Sequence, residues 1–323
     1  MHMVGIRVVS EMQHATPPSP PFLARLTPTG DSPPLPVHFW IGVDGGGTHT
    51  RARLFDAGAH ALGEGQAGPS ALGQGLEQAW EHIQQAVQAA ARAAGLGPLN
   101  PAESALGLGL SGANNPALAA ACVAANPGFA QLALEGDAVT GVLGAHAGRP
   151  GALLIAGTGS IALAHGADGS RRQAGGWGWL NGDEGSGAWL GKAALRHAQR
   201  GLDGRDATGT LARAVWALLG PSAEDLLAWQ AQAGQARFAS LAPLVFEHAE
   251  SDPKAQQLLS AAVQQLEDMV HAVDPEGALP LVLSGSVAQR LAPQFSAPLR
   301  ARLVNAQGDA MDGALRLLQT SFK

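Results

Sequence analysis

Glycine-rich segments that carry hydroxyl or carboxyl side chains are the first feature of this sequence that could perform chemistry. There are four, far apart along the chain: DGGGTHT at 44–50, GTGS at 157–160, GGWGWLNGDEGSG at 175–187 and SGS at 284–286. Glycine lets the backbone turn with positive φ and lets N–H groups approach an anion closely. Thr48, Thr158 and Ser160 add hydroxyl donors. Two such loops facing each other would hold a polyphosphate between two domains, although a single loop of this kind is also typical of an ordinary turn.

Two aspartates in glycine-rich surroundings are candidates for acid–base chemistry. Asp137 follows the apolar run Leu132–Leu134 in LALEGDAVTGVLGAH, and Asp183 lies in NGDEGSG. A carboxylate at the end of a strand, in a cleft lined by glycine, can accept a proton from a hydroxyl group. Each aspartate could instead cap a helix, Asp137 the one predicted at 138–146 and Asp183 the one predicted from Glu184. The spacing alone does not choose between these roles.

Two tryptophans, Trp177 and Trp179, lie among the glycines of the third segment. An indole ring has a large apolar face, so either side chain could stack on a sugar ring or pack the loop against the core. The sequence slightly favours packing.

Several common nucleotide and metal motifs are absent from the sequence. There is no GxxxxGK[ST] segment, which excludes a P-loop protein. GLGLSG at 107–112 matches GxGxxG, but its first two glycines fall inside a predicted strand and Pro116 follows, so we do not expect dinucleotide binding. The 11 histidines show no HExxH or paired spacing. The single cysteine, Cys122, can form neither an intrachain disulfide nor a cysteine-based metal site.

The composition is that of a folded, mildly acidic globular protein. Of the 323 residues, 46% are hydrophobic and 14% are charged, and the net charge is −6. This charge, without any basic run, weighs against a nucleic-acid partner. The first residues lack the charged head and apolar run of a signal peptide. The sequence has no run of about 20 apolar residues, so no membrane span is predicted. We therefore expect a cytoplasmic protein without a membrane or nucleic-acid partner.

The apolar spacing predicts strands and helices that alternate around the glycine loops. Phe39–Val43 and Thr50–Phe55 are predicted to form a β-hairpin with the glycines at its tip. A helix is predicted from Leu76 up to Gly95, where glycine suits a helix end. Further strands are expected at 105–110, 132–134, 152–156, 161–164 and 281–283, and further helices at about 184–199, 254–273 and 309–319. This alternation predicts the α/β class.

The chain is predicted to divide into three regions. Residues 1–37 contain TPPSPP and SPPLP, whose prolines lack backbone donors, and are expected to be a disordered extension. GRPG separates two strand-rich halves, so the domains are predicted at 38–149 and 150–323. The last helix could pack back on the first of these domains.

At this point five segments become recognisable together. In order along the chain, they are GVDGGGTHTRARLFD, GDAVTGVLGAH, GALLIAGTGSIALA, AGGWGWLNGDEGSG and LVLSGSVAQRL. They resemble the N-acetylglucosamine kinase and glucosamine kinase family, which also contains ATPase activators of benzoyl-CoA reductase and 2-hydroxyacyl-CoA dehydratases. The resemblance spans residues 38–320, and the tail QGDAMDGALRLL is most similar to bacterial glucosamine kinases. It implies two ribonuclease H-like domains of the actin–hexokinase type, with a cleft between them for ATP, Mg²⁺ and a sugar.

The resemblance also implies a role for each candidate residue. Asp137 would be the catalytic base that takes the proton from the sugar 6-hydroxyl, and Asp44 would hold Mg²⁺ through water. The other candidates fall into groups that would bind phosphate, adenosine and sugar. The phosphate group is Gly45, Gly46, Gly47, Thr48, Thr158, Gly159 and Ser160; the adenosine group is Gly285 and Ser286; and the sugar group is Gly176, Trp177, Gly178 and Asp183.

Two departures from the family pattern affect what the resemblance implies. Ala71, in GPSAL, stands about where these kinases often place an asparagine that contacts the sugar. A single cysteine also cannot supply the cluster ligands of the reductase activators, so that branch is disfavoured.

The predicted function is ATP-dependent phosphorylation of the 6-hydroxyl of glucosamine or N-acetylglucosamine. The alternative is an ATPase or regulator of the same family that couples nucleotide-driven closure to a protein partner. A sugar-sensing transcription factor is disfavoured, because no helix-turn-helix segment precedes the predicted fold. The expected partner is a small sugar, and a homodimer is compatible with the sequence.

Overall fold

The computed structural model describes residues 22–25 and 36–322 as strands and helices that alternate along much of the chain. The strands are β1 Phe22–Arg25, β2 Phe39–Gly45, β3 Thr50–Phe55, β4 Ala61–Ala67, β5 Ser104–Leu110, β6 Gln131–Glu135, β7 Gly151–Ala156, β8 Ser160–His165, β9 Arg171–Gly175 and β10 Leu281–Ser284. The helices are α1 Leu76–Ala93, α2 Pro116–Ala124, α3 Asp137–Ala145, α4 Gly187–Leu202, α5 Thr210–Leu219, α6 Ala223–Ala231, α7 Gln235–Ala239, α8 Ala242–Glu247, α9 Pro253–Val273, α10 Ser286–Leu291, α11 Ala297–Arg300 and α12 Ala310–Ser321. The predicted α/β class is confirmed.

The first half of the chain is built on a six-stranded sheet in the order β1-β6-β5-β2-β3-β4. Strands β2, β5 and β6 are parallel, while β3 and β4 continue the sheet antiparallel as a meander. One face of the sheet packs against α1 and α2 in a core of aliphatic side chains that includes Ile41, Ile83 and Leu106. The parallel order brings the carboxyl ends of β2, β5 and β6 to one edge, where loops can form a site.

The second half is built on a four-stranded sheet in the order β10-β7-β8-β9. Its larger core lies against helices that include α4, α5 and α9, with Leu154, Leu190 and Leu266 buried there. The opposite face meets α3 through a smaller cluster that includes Val142 and Leu163. Helix α3 is therefore packed between the two sheets.

The last helix, α12, lies on the first sheet and not on the second. A Cβ on Gly42 of β2 would overlap the Met311 carbonyl oxygen, so only glycine permits this approach of helix to strand. Arg53 of β3 adds ion pairs to Asp309 at 2.9 Å and to Asp312 at 2.7 Å at the start of the helix. The C-terminal segment thus completes the first half of the molecule.

Part of the proline-rich extension is a strand. Phe22–Arg25 pairs antiparallel with Gln131–Leu134 at the edge of the first sheet, so the predicted disorder is wrong for these four residues. An unpaired sheet edge offers N–H and C=O groups to any extended segment, and this can outweigh weak local spacing. Residues 1–21 and 26–35 of the predicted extension lie outside the described residues.

None of the helices in the described part of the chain has both the length and the apolar character needed to cross a membrane.

Candidate active site

A cleft of about 1570 Å³ lies between the two sheets. Loops at the ends of β2, β6, β7 and β9 all reach it, which brings together residues that are far apart in sequence. Of the predicted site residues, those that line the cleft are Asp44, Gly47, Thr48, Asp137, Thr158, Gly159, Ser160, Gly176, Gly178 and Asp183. Those that do not line it are Gly45, Gly46, Trp177, Gly285 and Ser286.

The first glycine loop, Gly45–Thr48, forms the tip of the β2–β3 hairpin. Its position is set by the Gly46 carbonyl, which accepts hydrogen bonds from the N–H groups of Ser70 at 3.0 Å and Ala71 at 3.1 Å. Thr48 is exposed, and its hydroxyl contacts only the neighbouring His49 ring at 2.6 Å among the described residues. The loop tip is therefore open to the cleft.

The expected positive φ is absent from this first loop. None of its three glycines adopts a left-handed conformation. A Cβ on Gly45 would overlap the Ser70 hydroxyl, so close packing requires that glycine. A Cβ on Gly46 would meet no atom within 4 Å. The fold itself therefore leaves room for a side chain at Gly46.

The second glycine loop, Gly157–Ser160, is built into the fold more firmly. The first N–H groups of α4 bind it, Gly187 to the Gly157 carbonyl at 2.8 Å and Ala188 to the Thr158 carbonyl at 3.1 Å. The buried Ser160 hydroxyl donates to the Glu184 carbonyl at 2.7 Å. This hydroxyl is therefore engaged within the fold, while Thr158 remains exposed.

The fourth glycine-rich segment, SGS at 284–286, forms a turn after β10 and lies behind the second loop. Gly285 has a φ of +89°, and a Cβ on it would overlap the Ala156 carbonyl oxygen. Both the conformation and the close approach require glycine at this position. The neighbouring residues that line the cleft are Ser284 and Gln289, whereas Gly285 and Ser286 do not line it.

Asp137 is the first residue of α3. Gly136 occupies the N-cap position, so the alternative role of Asp137 as the cap of this helix is wrong. Its Oδ1 accepts a hydrogen bond from the Ala138 N–H at 2.8 Å, and no side chain of the described residues donates to it. Burial raises the pKa of this carboxyl above its usual value, and the negative charge of Asp44 raises it further.

Asp44 is the next-to-last residue of β2 and lies near Asp137. Its Oδ2 forms an ion pair with Arg51 Nη2 at 2.6 Å. The antiparallel register of the hairpin places Asp44 directly opposite Arg51, so this partner follows from the turn length. The spacing of seven residues between Asp44 and Arg51 in the predicted hairpin could have identified this pair, and sequence reasoning missed it.

Asp183 precedes α4 without capping it. The helix begins at Gly187 and is capped by Ser186, whose Oγ accepts from the Trp189 N–H at 3.2 Å, so the alternative role of Asp183 as a cap is also wrong. Asp183 is only 4% exposed and has a φ of +55°, which is unusual for a residue with a side chain. Its Oδ2 accepts a hydrogen bond from Gln235 Nε2 at 2.8 Å. Burial raises the pKa of this carboxyl.

The two tryptophans of the third segment differ in their surroundings. Trp177 is 85% exposed and lies between Gly176 and Gly178, which have φ values of +74° and +85°. Trp179 packs against the second core, with its ring 5.6 Å from that of Phe238. The expected packing therefore holds for Trp179 and not for Trp177.

Sequence reasoning also missed cleft residues that come from distant elements. Gln235 lies on a short helix, 52 residues from the Asp183 it contacts, and no local pattern marks it. Glu135 and Arg171 form an ion pair at 2.6 Å that joins the end of β6 to β9 across the cleft. The packing of α7 within the second half creates the first contact, and the packing of the two halves creates the second.

The carboxylate of Asp44, with that of Asp137 nearby, suits a magnesium ion. Mg²⁺ prefers oxygen ligands, keeps several waters and usually takes one or two carboxylates together with substrate phosphates. Both carboxylates line the cleft beside the first glycine loop. Among the described residues there is no group of three or more His, Cys, Asp and Glu side chains that could hold a metal ion.

Comparison with known proteins identifies the family. Residues 41–309 match the BadF/BadG/BcrA/BcrD ATPase family, and the chain belongs to it. It is 31% identical to glucosamine kinase GspK of Vibrio cholerae over 280 residues, which cover 86% of this chain and 95% of that protein. It is 28% identical to N-acetyl-D-glucosamine kinase of Dictyostelium discoideum, over 78% of this chain and 86% of that protein.

A solved structure from Chromobacterium violaceum extends this likeness to the fold. That protein, proposed to be an N-acetylglucosamine kinase, superposes with a TM-score of 0.83 at 44% identity, covering 88% of this chain and 99% of that one. The resemblance stated from the sequence segments is confirmed.

Proposed function

We propose that this protein is an ATP-dependent amino-sugar kinase that phosphorylates the 6-hydroxyl of glucosamine or N-acetylglucosamine. The observation that carries the proposal is the position of Asp137, whose carboxylate lines the same cleft as both glycine loops and as Asp183. The named relatives are glucosamine and N-acetylglucosamine kinases, in agreement with this assignment. A cytoplasmic location is part of the proposal, because ATP is the phosphoryl donor.

The proposed reaction is an in-line phosphoryl transfer. The sugar O6 forms a bond to the γ-phosphorus while the bond from that phosphorus to the β–γ bridging oxygen breaks. The O6 proton passes to the Asp137 carboxylate, and ADP and the sugar 6-phosphate are the products. A base whose pKa lies above the usual carboxyl value suits this role, because proton transfer is most efficient when the pKa approaches the working pH.

Placement and charge neutralisation supply most of the catalysis in reactions of this type. Backbone N–H groups of the two glycine loops would bind the phosphates, with Thr48 and Thr158 adding exposed hydroxyls. Asp44 would hold Mg²⁺, which when bound neutralises charge on the phosphates, and Asp137 would remain free to accept the proton. Arg51, already paired with Asp44 and lining the cleft, orients that carboxylate.

We further propose that glucosamine is used at least as efficiently as N-acetylglucosamine. Asp183 and the neighbouring Glu184 give the sugar end of the cleft a negative character, which suits an ammonium group. The tryptophans could have formed an apolar wall for an acetyl methyl, but Trp177 does not line the cleft and Trp179 packs on Phe238.

A sugar panel tests both parts of the proposal. Purified protein with ATP and Mg²⁺ is mixed separately with glucosamine, N-acetylglucosamine and glucose, and ADP and sugar 6-phosphate are measured. We expect ADP release only with an amino sugar. A tenfold preference in kcat/KM for the N-acetylated sugar, about 1.4 kcal/mol, would contradict the assignment of glucosamine.

The same assay separates the alternative function. An ATPase that acts on a protein partner would release ADP at the same rate with and without sugar. That result would overturn the kinase proposal while leaving the nucleotide site intact.

A further inference from the structure

The short helix α7 reaches the cleft because α4 lacks side chains where the two helices cross. A Cβ on Gly191 would overlap the Phe238 carbonyl oxygen, and a Cβ on Gly187 would lie 3.3 Å from the Ala239 Cβ. Glycine at both positions lets the backbones of α4 and α7 approach closely. The Phe238 ring is held between Trp179 and Trp229, with ring centres at 5.6 Å and 5.4 Å. This packing fixes the first residue of α7, Gln235, at the edge of the cleft.

Gln235 meets Asp183 at a point where the second glycine loop leaves space for both. The Gln235 Nε2 lies 2.8 Å from Asp183 Oδ2. A Cβ on Gly159 would lie 2.7 Å from that same oxygen and 3.0 Å from Gln235 Nε2. The phosphate loop, the carboxylate and the amide are therefore in mutual contact.

We propose that Gln235 is a positioning residue for sugar binding, because its amide holds the Asp183 carboxylate in the orientation that receives the amino sugar. The inference rests on the proposed function and goes beyond it by assigning a role to α7. Asp183 has an uncommon backbone conformation and little contact with solvent, so its carboxylate needs a donor to stay in place. Gln235 is the only side chain of the described residues that donates a hydrogen bond to it.

The charges around Asp183 make the pH dependence of kcat/KM for the sugar a test of the proposal. A purely structural role of Gln235 would leave that pH dependence unchanged. Burial and Glu184 raise the pKa of the Asp183 carboxyl, while the Ser160 N–H, Lys192 of α4 and Gln235 lower it. Removing the Gln235 donor raises that pKa further. Protonation then begins at a higher pH, so the acid limb of kcat/KM for the sugar moves to higher pH.

The test uses two Gln235 variants and a matched pair elsewhere. Gln235→Leu removes the amide, and the isosteric Gln235→Glu places a second carboxylate against Asp183. The controls are Gln264→Leu and Gln264→Glu on α9, where Gln264 Nε2 makes the same contact with Asp268 Oδ1 at 2.8 Å on an exposed face. Measurements are KM for glucosamine and for ATP, the pH profile of kcat/KM, melting temperature, and calorimetric titration with glucosamine.

We expect the sugar KM to rise about tenfold or more in Gln235→Glu and less in Gln235→Leu, with the ATP KM within roughly twofold of the wild type. The acid limb of the pH profile of kcat/KM for the sugar should move to higher pH in both variants. The Gln264 variants should match the wild type in every kinetic measure.

Three results would overturn the inference. Gln235 variants that behave like the Gln264 controls would remove any role for the amide in sugar binding. Equal increases in the sugar and ATP KM, with a lower melting temperature and an unmoved acid limb, would show that Gln235 only supports the fold. A wild-type protein that phosphorylates no hexosamine would overturn the proposed function as well, whereas the first two results would leave that function standing.

Discussion

The two glycine loops that face each other across the cleft are held in different ways. The first loop, Gly45–Thr48, accepts hydrogen bonds at its Gly45, Gly46 and Gly47 carbonyls, and its tip is exposed. The second, Gly157–Ser160, accepts hydrogen bonds from the start of α4 and buries the Ser160 hydroxyl. The second loop is part of the packed core of its half, whereas the first is a hairpin tip with open space beside Gly46. Substitutions in the first loop should therefore change ligand binding with little effect on stability. Substitutions in the second loop should change both.

The two cleft carboxylates follow the same division. Asp137, on the first side, accepts one backbone hydrogen bond and is near the negative charge of Asp44. Asp183, on the second side, is buried and bound by the Gln235 side chain. Burial raises the pKa of both carboxyls, but the Ser160 N–H and Gln235 oppose that shift at Asp183, whereas the charge of Asp44 adds to it at Asp137.

The largest effect is expected for Asp137→Asn. We expect kcat to fall by roughly 10²–10⁴-fold with little change in ATP affinity, because the variant loses proton transfer and keeps the shape of the side chain. Steady-state kinetics and calorimetric titration with ATP measure the two quantities, with the exposed Asp268→Asn as a control. Turnover near the wild-type rate would reject Asp137 as the base and would favour Asp183.

A paired substitution tests the loops directly. Gly46→Val should lower ATP affinity at least tenfold, about 1.4 kcal/mol, because a bound phosphate would leave no room for the side chain. The free energy of unfolding should change by less than about 0.5 kcal/mol, because the fold alone leaves room for it. Gly159→Ala should instead lower the free energy of unfolding by about 1–3 kcal/mol, since its Cβ would press on Asp183 and Gln235.

Gly97→Val is the control for the first loop, because Gly97 also has open space around it and lies away from the cleft. Denaturant unfolding and ATP titration are compared for all three variants. Unchanged ATP affinity in a folded Gly46→Val protein would contradict the assignment of Gly45–Thr48 as a phosphate loop.

A third prediction concerns the effect of pH on stability. The pKa of Asp137 is raised in the folded protein, so the folded state binds the proton more tightly than the unfolded state does. This group therefore lowers the free energy of unfolding as the pH rises from the ordinary carboxyl pKa to the raised one. Asp137→Asn should be more stable than the wild type at neutral pH, and the difference should shrink as the pH falls through that window.

Urea unfolding at a series of pH values measures this difference. A difference that is constant with pH, or that grows towards acid, would show that burial of the Asp137 charge does not destabilise the fold.

The smallest effect is expected for Ser160→Ala. Loss of the buried hydrogen bond to the Glu184 carbonyl should lower the free energy of unfolding by about 1 kcal/mol. The KM for ATP should stay at the wild-type value, since this hydroxyl is already occupied within the fold. A clear rise in the ATP KM without loss of stability would restore Ser160 as a phosphate donor.

The local features of the fold could be predicted from the sequence because they depend on short spacings. The hairpin at Phe39–Phe55 follows from two apolar runs around glycines, and the long helix that ends near Gly95 follows from its apolar period. Strand β1 could not be predicted, because four residues with weak spacing become a strand only when the edge of β6 is available. The helix-cap roles of Asp137 and Asp183 were wrong because the N-cap positions are occupied by Gly136 and Ser186.

What the sequence by itself determined is the set of residue types at the strand ends: glycines, threonines and carboxylates whose order identified the family. Only the tertiary structure decided which of these groups meet. Asp44 lies beside Asp137 because β2 and β6 are parallel strands of one sheet, with β5 between them. Gln235 lies against Asp183 because two glycines of α4 admit α7. Local spacing determines turns and helix faces, whereas contacts between distant segments and the pKa shifts they cause depend on how strands and helices pack within each half.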